Sequence, residues 1–310
     1  MTQSDRVRRA VSSVLGLAVL GVFAWAVQHY WGWQKLFVPW TWVPPGLVAF
    51  VVVAQLASYS VRAYRIYHAE SEIPRGRWHD CLKLILLNNT ANLLLPARTG
   101  EASFPLLLNR WFGINAAKGS GTLLWLRALD LAVLAVLAVA VLGRTLLPGI
   151  PAALLVGVCL AGAAAPLLAL PVHARTVRIL DGRAGKVPGL VGKVLAGVPS
   201  RARQVLVDIG LTWAAWSIKL AALTVVFAQL AGLSLPAALI GAIGGDLSTV
   251  LPIHAPGGFG TYEAGVVALV AAVADAGPAL LAAAVNLHLL VLGIALLGGA
   301  YAWLTQPRRT

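Results

Sequence analysis

Ionisable residues are scarce in this chain: 11% of its 310 residues are charged, and only 11 are Asp or Glu. A soluble domain carries about 25% charged residues, so a water-facing surface of ordinary composition is missing. Cysteine is scarcer still. Cys81 and Cys159 are the only two, both in apolar context, and their spacing offers neither a metal-ligand pattern nor a disulfide framework. Catalytic signatures are also missing: there is no phosphate-cradling Gly-rich loop, no His-Glu-x-x-His, no Cys/His cluster and no Gly-x-Ser-x-Gly. No cofactor, no bound metal and no enzymatic activity are expected.

What is abundant is hydrocarbon. The chain is 59% hydrophobic, with a mean hydropathy of +0.81, against roughly 45–50% apolar residues in a soluble protein. The composition is that of an integral membrane protein. Its net charge of +13 and isoelectric point near 10.6 are the basic excess that the positive-inside rule puts in cytoplasmic loops, so no nucleic-acid partner is expected.

A spanning helix needs about 20 apolar residues. By that measure full spans are predicted near residues 10–30, 44–66, 119–142, 151–171, 208–231 and 279–303. The first follows a basic start and could be read as a cleaved leader. It is long enough to cross and ends in Trp and Tyr, as at a membrane interface, so an uncleaved helix is expected. Two further regions are each split into short pieces. Residues 81–95 and 102–114 are broken at "PARTGE", and residues 236–251 and 258–274 at "PIHAPGGFGTYE". Backbone freed at such a break is tolerated only where protein buries it or a wet cavity receives it. Both regions are therefore expected to be re-entrant helical hairpins, giving an all-α polytopic membrane protein of about six full spans plus two hairpins.

Basic residues set the orientation. With the amino terminus inside, most of the 24 Lys and Arg fall on the cytoplasmic side: Arg6, Arg8 and Arg9, those of 62–118 other than Arg98, those of a basic loop at 172–207, and Arg308 and Arg309. Lys35 and Arg144 lie outside, while Arg98, Arg127 and Lys219 are left within the bilayer. Both termini are expected in the cytoplasm of an inner-membrane, multi-pass protein forming a single membrane domain over 1–310. The two hairpins then dip from opposite faces. Setting "NNTANLLLP" above "GGDLSTVLP" places Pro96 over Pro252, and downstream Thr99 and Glu101 over Thr261 and Glu263. An inverted repeat with halves at about 44–142 and 208–303 is expected, and paired Gly/Pro breaks in such a repeat point to a substrate site near the midplane.

Charges in hydrocarbon are costly and mark function by default. Here they are Arg98, Glu101, Arg127, Asp130, Lys219, Asp246 and Glu263. Arg127 and Asp130 are three apart on one helix, so a local ion pair is expected. Lys219 is too central to snorkel and should have a buried partner. Arg98 is the best candidate for a ligand contact, because a guanidinium offers a planar fork of donors to phosphate and stays charged when buried. Its alternative role is to pin its hairpin to Glu101 or Glu263. Gly257 and Gly258 would let backbone approach a head group or would serve as a plain turn. His254 and Asn92 are polar accessories within the breaks.

"NLLLPARTGEASFPLLLNRWFGI" resembles the Asn-x-x-x-Pro-x-Arg-x-Gly-Glu segment of the lysylphosphatidylglycerol synthase transmembrane family, and "LPIHAPGGFGTYEAGVVAL" its Pro-Gly-Gly-x-Gly-x-x-Glu segment. This is the flippase-like membrane domain found in the multiple peptide resistance factor. The matching positions are Asn92, Pro96, Arg98, Gly100 and Glu101, then Pro256, Gly257, Gly258, Gly260 and Glu263. The resemblance implies movement of a lipid between leaflets. In full-length synthases a soluble transferase domain follows; this chain ends at "TQPRRT", so it is expected not to make lysyl-lipid itself. Membrane lipids with anionic or polyprenyl-type heads are the partners to expect, and the oligomeric state, a homodimer included, stays open. An accessory subunit or intramembrane enzyme of lipid or polyprenyl-glycan metabolism is the alternative, and a non-transporting scaffold a third.

Overall fold

A computed structural model describes residues 25, 28, 29, 32–147, 149–180, 185–250, 256–274 and 277–307. Among these the chain is all helix and turn, without strands. A short helix α1 (Trp33–Phe37) and a 3-10 turn lead into α2 (Pro45–Ala69). Then follow α3 (Trp78–Leu94), a 3-10 turn Pro96–Ala102, α4 (Ser103–Phe112) and α5 (Ala116–Leu146). Next come α6 (Ala152–Ala164), α7 (Ala169–Leu180) and α8 (Lys186–Leu195). The series ends with α9 (Ala202–Ala231), α10 (Leu235–Val250), α11 (Thr261–Ala271) and α12 (Pro278–Leu304).

Five stretches are long and apolar enough to cross a membrane: Pro45–Ala69, Ala116–Gly143, Ala152–Leu180, Ala202–Ala231 and Ala279–Leu304. They coincide with five of the six expected spans. The sixth, near 10–30, lies outside the described residues apart from 25, 28 and 29. One span outruns its expected end: helix continues through Ala165–Leu168 to Leu180, into what reads by charge as a basic loop. Much of 172–207 is therefore helical. Hydropathy sums mark where charge begins, whereas a helix ends only where its backbone hydrogen bonds stop. The most apolar window of Ala152–Leu180 has no buried residue, which suits a helix whose neighbour is lipid.

The two broken regions are helix–break–helix units of matching size, 17 and 10 residues for α3 and α4 and 16 and 11 for α10 and α11. Each lies between two long helices, so the order long, short, short, long occurs twice. The breaks have local causes. Gly100 sits in the first turn against α3, where a Cβ would lie 2.3 Å from the carbonyl of Ala91; only glycine fits. The exit of α4 uses left-handed Gly113, whose N–H returns to Asn109 O at 3.0 Å. Asn115 then caps α5 by accepting the Ala117 N–H at 2.9 Å. α9 ends at Gly232 (φ 64), with the Leu233 N–H bonded to Ala228 O.

Contacts divide the chain into two compact units, each gathered from separate segments. The first comprises 1–53, 89–101 and 221–297. Its core is the α10–α11 pair, where Gly244 and Gly265 face each other so closely that a Cβ on either would lie within 2.4 Å of the other's carbonyl oxygen. Small residues at helix contacts let backbones approach where no hydrophobic driving force exists between apolar helices and lipid. Asn286 of α12 ties the amino-terminal segment to this core, accepting Trp40 Nε1–H at 2.8 Å and donating to Leu36 O at 2.7 Å.

The second unit comprises 54–88, 102–220 and 298–310. Arg77, just before α3, donates to Trp111 O at the end of α4 at 3.0 Å and lies over the Phe112 ring. Asn88 donates to Ser103 at 2.9 Å. These contacts run the two short helices antiparallel. The end of α2 meets the starts of α5 and α9: Gln204 donates to Ala69 O at 3.3 Å, and Lys118 pairs with Glu70 at 2.6 Å. These three helix ends meet in the fold.

Gly265→Val should overpack the α10–α11 contact and destabilise by about 1–3 kcal/mol. Gly210→Ala on α9, where a Cβ meets nothing within 4 Å, should be neutral or slightly stabilising. Thermal unfolding in detergent compares them; equal melting temperatures would refute the close backbone packing.

Candidate functional site

The second unit buries a charge cluster on three of its long helices. Asp130 of α5, with its side chain 3% exposed, has Arg65 of α2 at 3.3 Å, Arg127 at 3.5 Å and Arg62 at 3.7 Å. Trp216 Nε1 of α9 donates to the same carboxylate at 3.1 Å. Helix periodicity makes this meeting possible: Arg62 and Arg65, like Arg127 and Asp130, are three apart and so share a face. Asp208, Thr212 and Trp216 are spaced by four on α9. Arg65 Nη1 donates to the Thr212 hydroxyl, which donates to Asp208 O at 2.6 Å. Trp125 Nε1 donates to Asp208 Oδ2 at 2.9 Å.

Trp216 is also the platform of the cluster. The Arg62 guanidinium lies 4.6 Å and the Lys219 ammonium 5.1 Å from its ring centroid, within cation–π range. One carboxylate thus serves three guanidiniums, and the Nε–H groups of Arg62 and Arg65 are buried without a hydrogen-bond partner among the described residues. A buried donor without an acceptor forgoes a hydrogen bond it had in water. Beyond this cluster, a polar cavity of about 440 Å³ opens where the ends of α2, α5 and α9 meet, lined by His68, Glu70, Lys118, Arg201 and Arg203 among others. Lys118 there is held by Glu70 and by Glu72 at 3.0 Å, and Thr122 donates to Glu70 at 2.5 Å.

The first unit holds a different arrangement. After the second break, Gly257, Gly258 and Gly260 have φ of 73, 75 and 82°, a left-handed run that side chains would resist. Glu263 closes the turn: its Oε2 accepts the Gly260 N–H at 2.7 Å, capping α11. Its Oε1 lies 2.7 Å from His288 Nδ1 of α12. The His288 ring stacks on Tyr262 at 4.4 Å and tilts against Phe259 at 5.0 Å. Gly258 is pressed against the other ring nitrogen, with its Cβ position 3.4 Å from His288 Nε2.

The residues singled out by sequence divide between the units. Arg127, Asp130 and Lys219 meet around Trp216, and the expected Arg127–Asp130 pair exists as part of a larger cluster. Asn92 and Glu101, both half-buried, fall in the first unit together with buried Asp246 and Glu263 and the Gly257–Gly258 turn. His254 and the side chain of Arg98 lie outside the described residues. Glu263, expected as a counter-ion for Arg98, has both oxygens engaged by Gly260 and His288.

Arg62 and Arg65, near a helix end, read in the sequence as positive-inside charges, and Trp216 is not singled out there. Nor is His288, in the middle of an apolar span. Spacing from Arg62 to Arg65 was the available signal for the first two; a polar residue at mid-span was the signal for the last.

Asp130→Asn should destabilise by about 3–5 kcal/mol, because buried arginines lose their shared counter-charge. Combining Asp130→Leu with Arg65→Met should cost less than the two single changes summed. Thermal unfolding in detergent measures the cycle; strict additivity would show that the charges do not interact.

Comparison with curated proteins and with solved structures gave no match. The family described as Lysylphosphatidylglycerol synthase TM region matches residues 13–299, most of the chain and both broken helix pairs. With five long apolar helices, buried intramembrane charge and this match, the protein belongs to the lysylphosphatidylglycerol synthase transmembrane-region family.

Proposed function

We propose that this protein moves a polar-headed, phosphate-bearing lipid between the leaflets of a bacterial inner membrane, with both termini in the cytoplasm and without catalysing a chemical change. The observation that carries the proposal is the Arg62–Arg65–Asp130 cluster. Two arginines share one carboxylate within helices fit to cross a bilayer, and each keeps a buried Nε–H without an acceptor among the described residues. Such positive charge among apolar helices is offset well by an anionic head group, for which guanidinium donors are matched in geometry.

Arg62 is the residue best disposed to receive it. Its side chain is 12% exposed, against 4% for Arg65, and it lies on the face of Trp216. A phosphate at Arg62 draws the guanidinium from Asp130, which retains Arg65 and Arg127. Lys219, 5.1 Å from the same ring centroid, holds further positive charge beside the head group. The lipid tails stay in hydrocarbon, so only the head is carried through polar surroundings. Arg98, Glu101, Gly257 and Gly258 at the two helix breaks are further head-group contacts in this proposal. The breaks are re-entrant hairpins of an inverted repeat, a reading supported by their matched lengths and repeated order.

Reconstitution into liposomes with fluorescent phospholipids tests the proposal by chemical quenching of the outer leaflet. Wild-type protein should accelerate exchange of an anionic phospholipid over protein-free liposomes. Arg62→Gln and Arg98→Ala should each slow it by about tenfold or more, as loss of a charge-assisted hydrogen bond worth about 1.5–3 kcal/mol implies. Exchange by both variants equal to wild type would sink the head-group role, and altered lipid products in place of altered sidedness would favour an intramembrane enzyme.

A further inference from the structure

We propose that Glu263 and His288 form a proton-binding site that couples lipid movement to the proton gradient, a role that rests on the transport reading above. The site is built in four respects. Both side chains are buried, 5% and 4% exposed, and touch at 2.7 Å. An ionised carboxylate can only accept, so this contact places one proton between Glu263 Oε1 and His288 Nδ1. The imidazole stacks on the Tyr262 ring and tilts against the Phe259 ring. Its second nitrogen, Nε2, faces the Gly258 turn that follows the second helix break, 3.4 Å from the Gly258 Cβ position.

The pair lies on α11 and α12, with α10 and the carboxyl-terminal part of α9 in the same unit; α12 also touches α3 through Thr90 and the amino-terminal segment through Asn286, which bring Lys35, Arg98 and Glu101 into that unit. Across 221–231, 235–250, 261–271 and 278–297 there is no lysine or arginine. Their ionisable groups are Asp246, Tyr262, Glu263 and His288, with Asp246 and Glu263 both in electrostatic range of the Tyr262 phenol. With neutral imidazole donating Nδ1–H to ionised Glu263, the pair carries one negative charge in an apolar setting. A proton arriving at Nε2 makes imidazolium beside carboxylate, and the pair becomes neutral. The Nδ1–H bond then breaks as Oε1–H forms, leaving a neutral acid and a neutral imidazole that keeps Nε2–H. Buried charge is disfavoured in such surroundings, and chains of carboxylate and histidine are the usual material of intramembrane proton relays.

Geometry links the proton to the helix break. Glu263 Oε2 caps α11 through the Gly260 N–H, and an anionic carboxylate makes a stronger cap than a protonated one. Proton loading therefore loosens the turn formed by Gly257, Gly258 and Gly260, and release of the proton tightens it. The turn is the place where backbone approaches a head group in the proposed pathway.

Two readouts test the site. Infrared difference spectra of the purified protein between about pH 5 and 8, the range in which histidine titrates, should show a carboxyl band that Glu263→Gln removes and His288→Gln shifts. Histidine NMR of the wild-type protein over the same range gives the ring's protonation without any variant. In liposomes, an imposed gradient of one pH unit should change the exchange rate of an anionic phospholipid by up to about tenfold, and His288→Gln should abolish that response. A wild-type protein with no titrating carboxyl or imidazole in this range, or a His288→Gln response to the gradient equal to wild type, overturns the proposal. Titration of the pair in a protein that exchanges no lipid would sink the transport reading and leave the proton site standing without its cargo.

Discussion

The fold depends on how it accommodates charge in hydrocarbon. A single carboxylate, Asp130, holds Arg62, Arg65 and Arg127 in place, and through Trp216 and Thr212 it joins α2, α5 and α9. Each of these helices is long and apolar enough to cross a bilayer. Between such helices apolar packing offers little preference over packing against lipid, so polar contacts and close backbone approach decide which faces meet. The cluster supplies the first in one unit; Gly244 against Gly265 supplies the second in the other.

The two units handle polarity differently. One collects arginine around a shared carboxylate and so presents positive charge with donors to spare. The other, on α10 to α12, carries carboxylates and histidine without any lysine or arginine.

Glycine sets where this polarity can be reached. Gly100 lets the first break fold back on α3, and the left-handed run at Gly257, Gly258 and Gly260 turns the chain sharply after the second. Glu263 then uses both oxygens, one for the helix cap and one for His288. A side chain that at sequence level reads as a mobile counter-ion is thereby fixed as part of a turn and a buried pair.

Five span positions, the two broken regions and the family were legible from composition and motif, because each follows from local chemistry: apolar length and Pro/Gly breaks. The pairing of Arg127 with Asp130 was legible for the same reason, being three residues apart on one helix. The company that Asp130 keeps was not. Arg62 and Arg65 come to it from 65 or more residues away along the chain, and His288 reaches Glu263 across 25. Such meetings are set by which helix faces pack together, and an apolar span looks alike on all sides until a neighbour chooses one. Sequence alone determined what crosses and where it breaks; tertiary structure decided which buried charges meet, because in a medium as apolar as the helices themselves only the packed neighbour can distinguish one face from another.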